Sequence, residues 1–185
     1  IARKLQSDQV IDPSELPEHL DLITARTEFY EKPAALPTIE SSSIKMDLHR
    51  RDFTINTLAL RLDGNHLGTI FDYWGGLSDL EDRKIRVLHA LSFVDDATRL
   101  TRAVRFEQRF NFEIEDRTLA LLTESLPLLE KTTGTRLRHE LELIMAEPKA
   151  SAMFARLHDL GILEAIHPKL NWSLQVSEKI TLLNS

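Results

Sequence analysis

Two hydrophobic rhythms divide the chain. Up to about residue 82 apolar positions come in short runs broken by Pro, Gly and charged residues, whereas from about Asp95 they recur every three or four positions. The first rhythm predicts short strands and turns, the second a succession of amphipathic helices. Ala2-Arg3-Lys4-Leu5 reads as the end of a helix, followed by a polar loop punctuated by Pro13 and Pro17. Leu20-Asp21-Leu22-Ile23-Thr24 alternates like a strand, with Asp21 facing away from Leu20, Leu22 and Thr24. An irregular crossing follows at Glu31 to Pro37, and Ser41-Ser42-Ser43 is a candidate helix cap. Thr54 to Leu62 carries Ile55, Leu58, Ala59 and Leu62 at helical spacing, which predicts an amphipathic helix. Gly68-Thr69-Ile70-Phe71 predicts a short strand ending at Asp72, ahead of a Gly75-Gly76 turn. Farther on, helices are expected over 95–110, 116–130, 134–146, 149–160 and 162–166, with breaks at Gly134 and Gly161 and Pro148 near a start. The expected class is α+β, a mixed portion followed by an all-α portion, joined around residues 83–94.

Composition narrows the function. A hydrophobic share of 42% and a charged share of 28% are those of an ordinary globular protein. No apolar run approaches the roughly 18 residues of a membrane helix. Cysteine is absent, which excludes disulfides and thiolate metal sites. Ile1-Ala2-Arg3-Lys4-Leu5 is neither an initiator segment nor a signal peptide, so the expectation is a cytoplasmic protein whose start lies upstream. A net charge of −6 argues against a broadly basic nucleic-acid surface. Charge is local, however: Arg99, Arg102, Arg105 and Arg109 cluster, and Arg136, Arg138 and Lys149 follow, enough for a basic cleft. The glycine-rich phosphate loops and the His-Glu-x-x-His zinc motif are missing. His158-Asp159 has the form of a phosphohydrolase pair but lacks companion histidines. Trp74 and Trp172 suit base stacking or simple packing, and Phe106, Phe110 and Phe112 are expected in the core.

The segment from Asp95 carries the sharpest chemistry. At ~100° per residue, Leu100, Ala103, Val104, Phe106 and Phe110 share one arc. Asp96 and Arg99 fall inside that arc, while Arg102, Arg105 and Arg109 lie opposite, on the side expected to be wet. Inward charges of opposite sign mean either a structural ion pair or a ligand site walled by protein. As a ligand site, a carboxylate accepts from the amino group of cytosine or adenine, and a guanidinium donates to the ring atom beside it. Uracil and guanine place a carbonyl there and would be repelled. Upstream, Arg50-Arg51-Asp52-Phe53-Thr54-Ile55-Asn56 reads either as a helix start capped by Asp52 or Thr54, or as a phosphate and sugar site, since guanidinium forks suit phosphate oxygens and carboxylates accept from hydroxyls.

Asp95-Asp96-Ala97-Thr98-Arg99, with Arg102, Arg105 and Phe106 behind it, resembles the Glu-Asp-x-x-Arg motif of bacterial tRNA nucleotidyltransferases and poly(A) polymerases. It departs at Asp95, where the family usually has Glu, and at Ala97, where it often has Pro; neither change removes a base-facing group. Arg50-Arg51-Asp52 is similar to the family's Arg-Arg-Asp motif, and Ala25 to Tyr30, Leu36-Pro37, Asp72 to Leu80 and Thr135 to Leu141 fit in order. The resemblance covers roughly residues 18 to 170. It implies an incomplete polymerase β-like nucleotidyltransferase head over 1–86, a helical neck over 87–148 that selects nucleotide and faces RNA, and the start of a helical body over 149–185. It further implies that Asp96 and Arg99 read the base, with Arg102 and Arg105 beside them. Arg51 would meet phosphates, Asp52 the ribose, and Asn56 the turn or the sugar. The implied reaction is addition of C or A from CTP or ATP to a tRNA 3′ end, with Mg²⁺ as cofactor. A poly(A) polymerase and a non-catalytic nucleotide- or RNA-binding derivative are the alternatives. The family's Asp-x-Asp metal motif is not found; Asp21 stands as a possible third carboxylate and metal ligand, or as a solvent-facing strand residue. Without that motif the chain is expected to bind nucleotide weakly and to catalyse nothing.

Overall fold

A computed structural model describes residues 22–29 and 38–183. The expected helix end at 2–5, the prolines at 13 and 17, Asp21 and the crossing at 31–37 lie outside those residues. The described chain is α+β. It runs β1 (Arg26–Phe29), β2 (Thr38–Ser41), α1 (Ile44–His49), β3 (Ala59–Leu60), β4 (Ile70–Phe71), α2 (Gly76–Glu81), β5 (Lys84–Ile85), α3 (Ser92–Asp95), α4 (Arg99–Phe110), β6 (Glu113–Ile114), α5 (Asp116–Ser125), α6 (Gly134–Met145), α7 (Ala150–Asp159), α8 (Ile162–Ile166) and α9 (Leu174–Leu183). β1–β2 and β3–β4 are antiparallel hairpins, and β5–β6 is a parallel pair.

Several elements depart from the sequence expectation, each for a local reason. The first strand lies at Arg26–Phe29, and Leu22, Ile23 and Thr24 are exposed irregular chain. The helix expected over 54–62 is a 3-10 turn at Thr54–Thr57 followed by β3. Backbone pairing takes that segment elsewhere: Thr54 N donates to Arg86 O at 2.9 Å and Arg61 N to Thr69 O at 2.9 Å. The helix expected from 95 is split, because Asp96 is extended (φ −147°, ψ 103°). Its carboxylate accepts from both the N–H and the hydroxyl of Thr98, a side-chain turn that competes with helix and restarts it at Arg99. The stretch 116–130 tightens into a 3-10 helix at Leu126–Lys131, where Pro127 cannot supply a helical N–H. Helices near 134–146, 149–160 and 162–166 form within a residue of expectation. α1 follows the expected serine cap, with Ser43 accepting from Met46 N, whereas β2, α2, α9 and the β5–β6 pair have no counterpart in the sequence expectation.

One core joins the two portions. Phe53, Ile85, Phe93, Leu100, Val104, Leu122, Ile144, Met153, Leu157 and Ile162 belong to a single buried cluster. The join at 83–94 is therefore stitched rather than loose: β5 pairs with β6 between α4 and α5, and Val87 bridges Phe53. Of the expected core phenylalanines, Phe106 is buried and packs edge-on against Phe53, Phe112 is partly buried against the cluster, and Phe110 is 45% exposed. Trp172 stacks on Phe154, a packing role.

A buried polar knot fixes the 3-10 turn. Thr54 Oγ1 donates to Asp79 at 2.6 Å, and Arg86 donates to the same carboxylate at 3.0 and 3.1 Å. α2 presses its first turn against that segment: a Cβ on Gly76 would sit 2.4 Å from Thr54 O. Gly75, at φ 75°, takes the left-handed turn just before it. Overpacking of this kind costs about 1–3 kcal/mol. Gly76→Ala is expected to lower the unfolding free energy by that amount, read in urea as a lower midpoint with an unchanged m-value.

Candidate nucleotide site

The expected site residues converge. Arg51, Asp52, Asn56, Asp96, Arg99 and Arg102 all line one cleft of about 640 Å³. The turn after α1 supplies the first three, the α3–α4 junction supplies Asp96, and the first turn of α4 supplies Arg99 and Arg102. α6 forms the facing wall with Thr135, Arg136, His139 and Glu140. The lining holds five arginines against three carboxylates, so a chain of net charge −6 presents a locally cationic hollow.

Asp52 is the most constrained group. Its Oδ1 accepts from Phe53 N and Asn56 Nδ2, each at 2.9 Å, and its Oδ2 from Arg102 Nε and Nη2 at 2.8 and 2.5 Å. Four donors saturate a carboxylate. Burial pushes Asp52 upward, but Arg102, Asn56 and the Phe53 N–H together hold it below the ordinary carboxylate value. A ribose hydroxyl can therefore reach this carboxylate only by displacing one of these donors.

Arg99 is also built in. It is 6% exposed, and its guanidinium donates to Ser92 Oγ at 2.7 Å, Ser92 O at 3.3 Å and Arg50 O at 2.7 Å. The simple structural reading, an Asp96–Arg99 pair, is not what forms. Asp96 pairs instead with Arg136 of α6 at 2.8 Å. Its Oδ1 takes Arg136 and both Thr98 donors, and no described residue donates to its Oδ2. Arg51 is the loosest cation, with its side chain 45% exposed and contacts of 3.4 Å to Asn56 O and 3.6 Å to Asp47.

Arg105 does not join the cleft, contrary to expectation. The arc of Arg102, Arg105 and Arg109 is partly covered, because α6 and the α6–α7 connection bring Glu140 and Glu147 against it; Arg105 is buried while Arg109 stays exposed. Phe106 sits within 5.6–5.8 Å of all three guanidiniums. Arg105 is 7% exposed and meets Glu140 at 3.7 Å, too long for a hydrogen bond. Arg105 Nε and Glu140 Oε2 are buried without hydrogen-bond partners. Burial raises the Glu140 carboxyl, against the pull of Arg102 and Arg105.

Thr98, Arg136, His139 and Glu140 were not assigned to the site from sequence, although positions 136, 139 and 140 share one helical face. Ser92, which anchors Arg99, carried no sequence signal. Among the described residues no group of three or more His, Asp or Glu side chains could hold a metal ion, and His158-Asp159 gathers no further ligands. The cleft carboxylates do not fit a Mg²⁺ site as they stand, since Asp52 is saturated and Asp96 and Glu140 face arginines. No described helix is long and apolar enough to cross a membrane.

The chain is similar to known proteins along most of its length. Residues 2–86 match the family described as the poly(A) polymerase head domain, and residues 111–173 the one described as a probable RNA- and SrmB-binding site of polymerase A. The A-adding tRNA nucleotidyltransferase of Geobacter sulfurreducens is 50% identical over 153 residues, covering 82% of this chain and 17% of that protein. A CCA-adding enzyme in an apo form superposes with a TM-score of 0.81 at 45% identity, covering 85% of this chain and 38% of that one. A tRNA nucleotidyltransferase complexed with a primer tRNA and an incoming ATP analogue superposes at 0.71 with 40% identity, covering 77% and 42%. The chain belongs to the tRNA nucleotidyltransferase and poly(A) polymerase family. It spans about a fifth of the Geobacter relative and about two fifths of the two solved chains.

The Asp52–Arg102 bond gives a pH signature. Asp52 is depressed in the folded state, so its stabilisation is present above the unfolded value of about 3.9 and is lost as pH falls through the lower native value. Arg102→Ala strands a buried carboxylate. It is expected to be less stable than wild type by about 1–3 kcal/mol near neutrality, a gap that closes below about pH 4 when both are followed by denaturation at a series of pH values.

Proposed function

We propose that this chain carries the nucleotide-selecting cleft of a template-independent RNA nucleotidyltransferase that adds A, C or both from ATP and CTP to the 3′ end of tRNA, releasing pyrophosphate. The observation that carries the reading is the state of Asp96 and Arg99 in one cleft. Asp96 keeps one oxygen open to a ligand, and Arg99 is rigidly anchored by main-chain and hydroxyl acceptors. An amino group of adenine or cytosine donates to Asp96 Oδ2, while the guanidinium donates to the neighbouring ring atom. GTP and UTP would set a carbonyl against the carboxylate. No template base is needed, because protein groups present the complementary edge.

The rest of the cleft suits the remainder of the nucleotide. Arg51, exposed and loosely held, takes the triphosphate. Asn56 and Asp52 border the sugar, with Asp52 acting chiefly by holding Arg102 and Asn56 in place. Arg105 supports α4 from behind. In the whole protein the 3′-hydroxyl of the primer attacks the α-phosphorus and the P–O bond to pyrophosphate breaks. Mg²⁺ is the cofactor proposed for that step, with ligands outside the described residues. Asp21, also outside them, remains the proposed additional carboxylate. The divisions 1–86, 87–148 and 149–185 are proposed as head, neck and start of body, and the compartment as the cytoplasm. The ATP analogue and primer tRNA held by the similar enzyme support nucleotide and tRNA as the ligands here.

Binding of ATP, CTP, GTP and UTP to the full chain, by calorimetry, tests the reading. ATP or CTP is expected to bind more tightly than GTP and UTP. Asp96→Ala is expected to shrink that preference by tenfold or more, since a well-placed base contact is worth about 1–3 kcal/mol. Arg99→Ala should do the same with some loss of stability. Equal binding of all four nucleotides by wild type would sink the proposal. For the complete gene product, tRNAs ending before, within or after CCA separate A-only, CCA and poly(A) addition.

A further inference from the structure

We infer that Arg136 is a positioning residue for nucleotide choice, fixing where the carboxylate of Asp96 meets the base; the inference rests on the assignment of Asp96 as the base acceptor. Asp96 stands in extended backbone between α3 and α4, so no helix holds its side chain. Two hydrogen bonds and one ion pair set its orientation, and all converge on Oδ1: Thr98 N donates at 2.9 Å, Thr98 Oγ1 at 2.7 Å, and the Arg136 Nη2 cation lies 2.8 Å away.

The donors are of two kinds. Thr98 lies two residues along the same junction, so its bonds fix Oδ1 only relative to the local chain. Arg136 reaches from α6, the facing wall of the cleft, and ties the same oxygen across the hollow. The two Thr98 bonds use the lone pairs of Oδ1, and the Arg136 cation lies against the same oxygen. Oδ2 becomes the acceptor offered to a ligand, at a position set by two elements rather than one. Without Arg136 the carboxylate is held by Thr98 alone, so it moves with the α3–α4 junction and no longer with the facing wall, and a bridging water can enter between Oδ2 and the base. A water is indifferent to donors and acceptors, so it would admit the carbonyl of guanine or uracil. Arg136 therefore acts on discrimination more than on affinity.

The geometry also makes α6 part of the selecting machinery. Thr135 and His139 flank Arg136 on the cleft wall, and Glu140 on the same helix faces Arg102 at 3.8 Å. A shift of α6 moves the Asp96 oxygen that the base meets.

The test titrates the full chain and its Arg136→Ala, Arg136→Lys and Asp96→Ala variants with each of the four nucleoside triphosphates, with thermal melts run in parallel. Arg136→Ala is expected to narrow the preference for ATP and CTP over GTP and UTP by about tenfold, equivalent to ~1.4 kcal/mol, mainly by admitting GTP and UTP. Arg136→Lys, which keeps the charge and a donor, is expected to restore part of it, a recovery that a purely structural role would not produce. Should Arg136→Ala melt early, Arg136→Leu, closer in volume, carries the same expectation. An unchanged preference in a folded Arg136→Ala, with Asp96→Ala still unselective, overturns this inference and leaves the Asp96 assignment standing. Uniform tightening of all four ligands also overturns it, marking Arg136 as a competitor for the site. An unchanged preference in Asp96→Ala removes the assignment beneath it.

Discussion

A carboxylate withdrawn from water holds the two halves of this chain in register. Asp52 lies in the turn after α1, and its partner Arg102 is fifty residues away on α4. Burying Asp52 is tolerable only because Arg102, Asn56 and a main-chain N–H meet it. A second tether runs parallel: Arg99, one helical turn earlier on α4, donates to the carbonyl of Arg50. Two consecutive turns of one helix thus grip a three-residue stretch of the mixed portion. The cleft residues of that stretch and of the first turn of α4 take their positions from that grip.

The network shows a gradient of satisfaction. Asp52 is fully engaged with protein, and Arg99 is anchored through Nη1 and Nη2 while its guanidinium carries further N–H donors. Asp96 is engaged through one oxygen only, and Arg51 is held at arm's length. Glu140 on the cleft wall and Arg105 behind it face each other without hydrogen bonds. Groups that must place other groups are saturated, and groups that would meet a ligand retain capacity. The hollow stays cationic within an acidic molecule because its carboxylates are outnumbered and most of them are already committed.

Much of the site was legible in the sequence, because its residues belong to two compact motifs. Arg51, Asp52 and Asn56 lie in one turn, and Asp96, Arg99 and Arg102 lie at the start of one helix. Helical spacing located α5 to α8 well, since their apolar faces pack on a common core. It misled over 54–62, where Ile55, Leu58 and Leu62 keep helical spacing but cross-chain backbone bonds to Arg86 and Thr69 decide the outcome. It also misplaced Arg105: periodicity gives the angle of a side chain about its own helix and is silent on what packs against it. The α6 wall was missed for the same reason, since Arg136 meets Asp96 only through tertiary packing. The two-residue strands β5 and β6 are too short to carry a period of their own.

The way Arg99 spends its donors bears on how such a protein changes its nucleotide preference over generations. Its guanidinium is bonded to a main-chain carbonyl of the turn after α1 and to Ser92 at the opening of α3, so it is framework as well as the proposed reader. Replacing it disturbs the seam along with the recognition edge. Asp96 projects from an irregular junction, and among the described residues its carboxylate is bonded by Thr98 and paired with Arg136, so it can vary while the framework stands. Variation in base preference among folded descendants should therefore accumulate at Asp96 and its two partners, while Arg99 stays fixed by the architecture it supports.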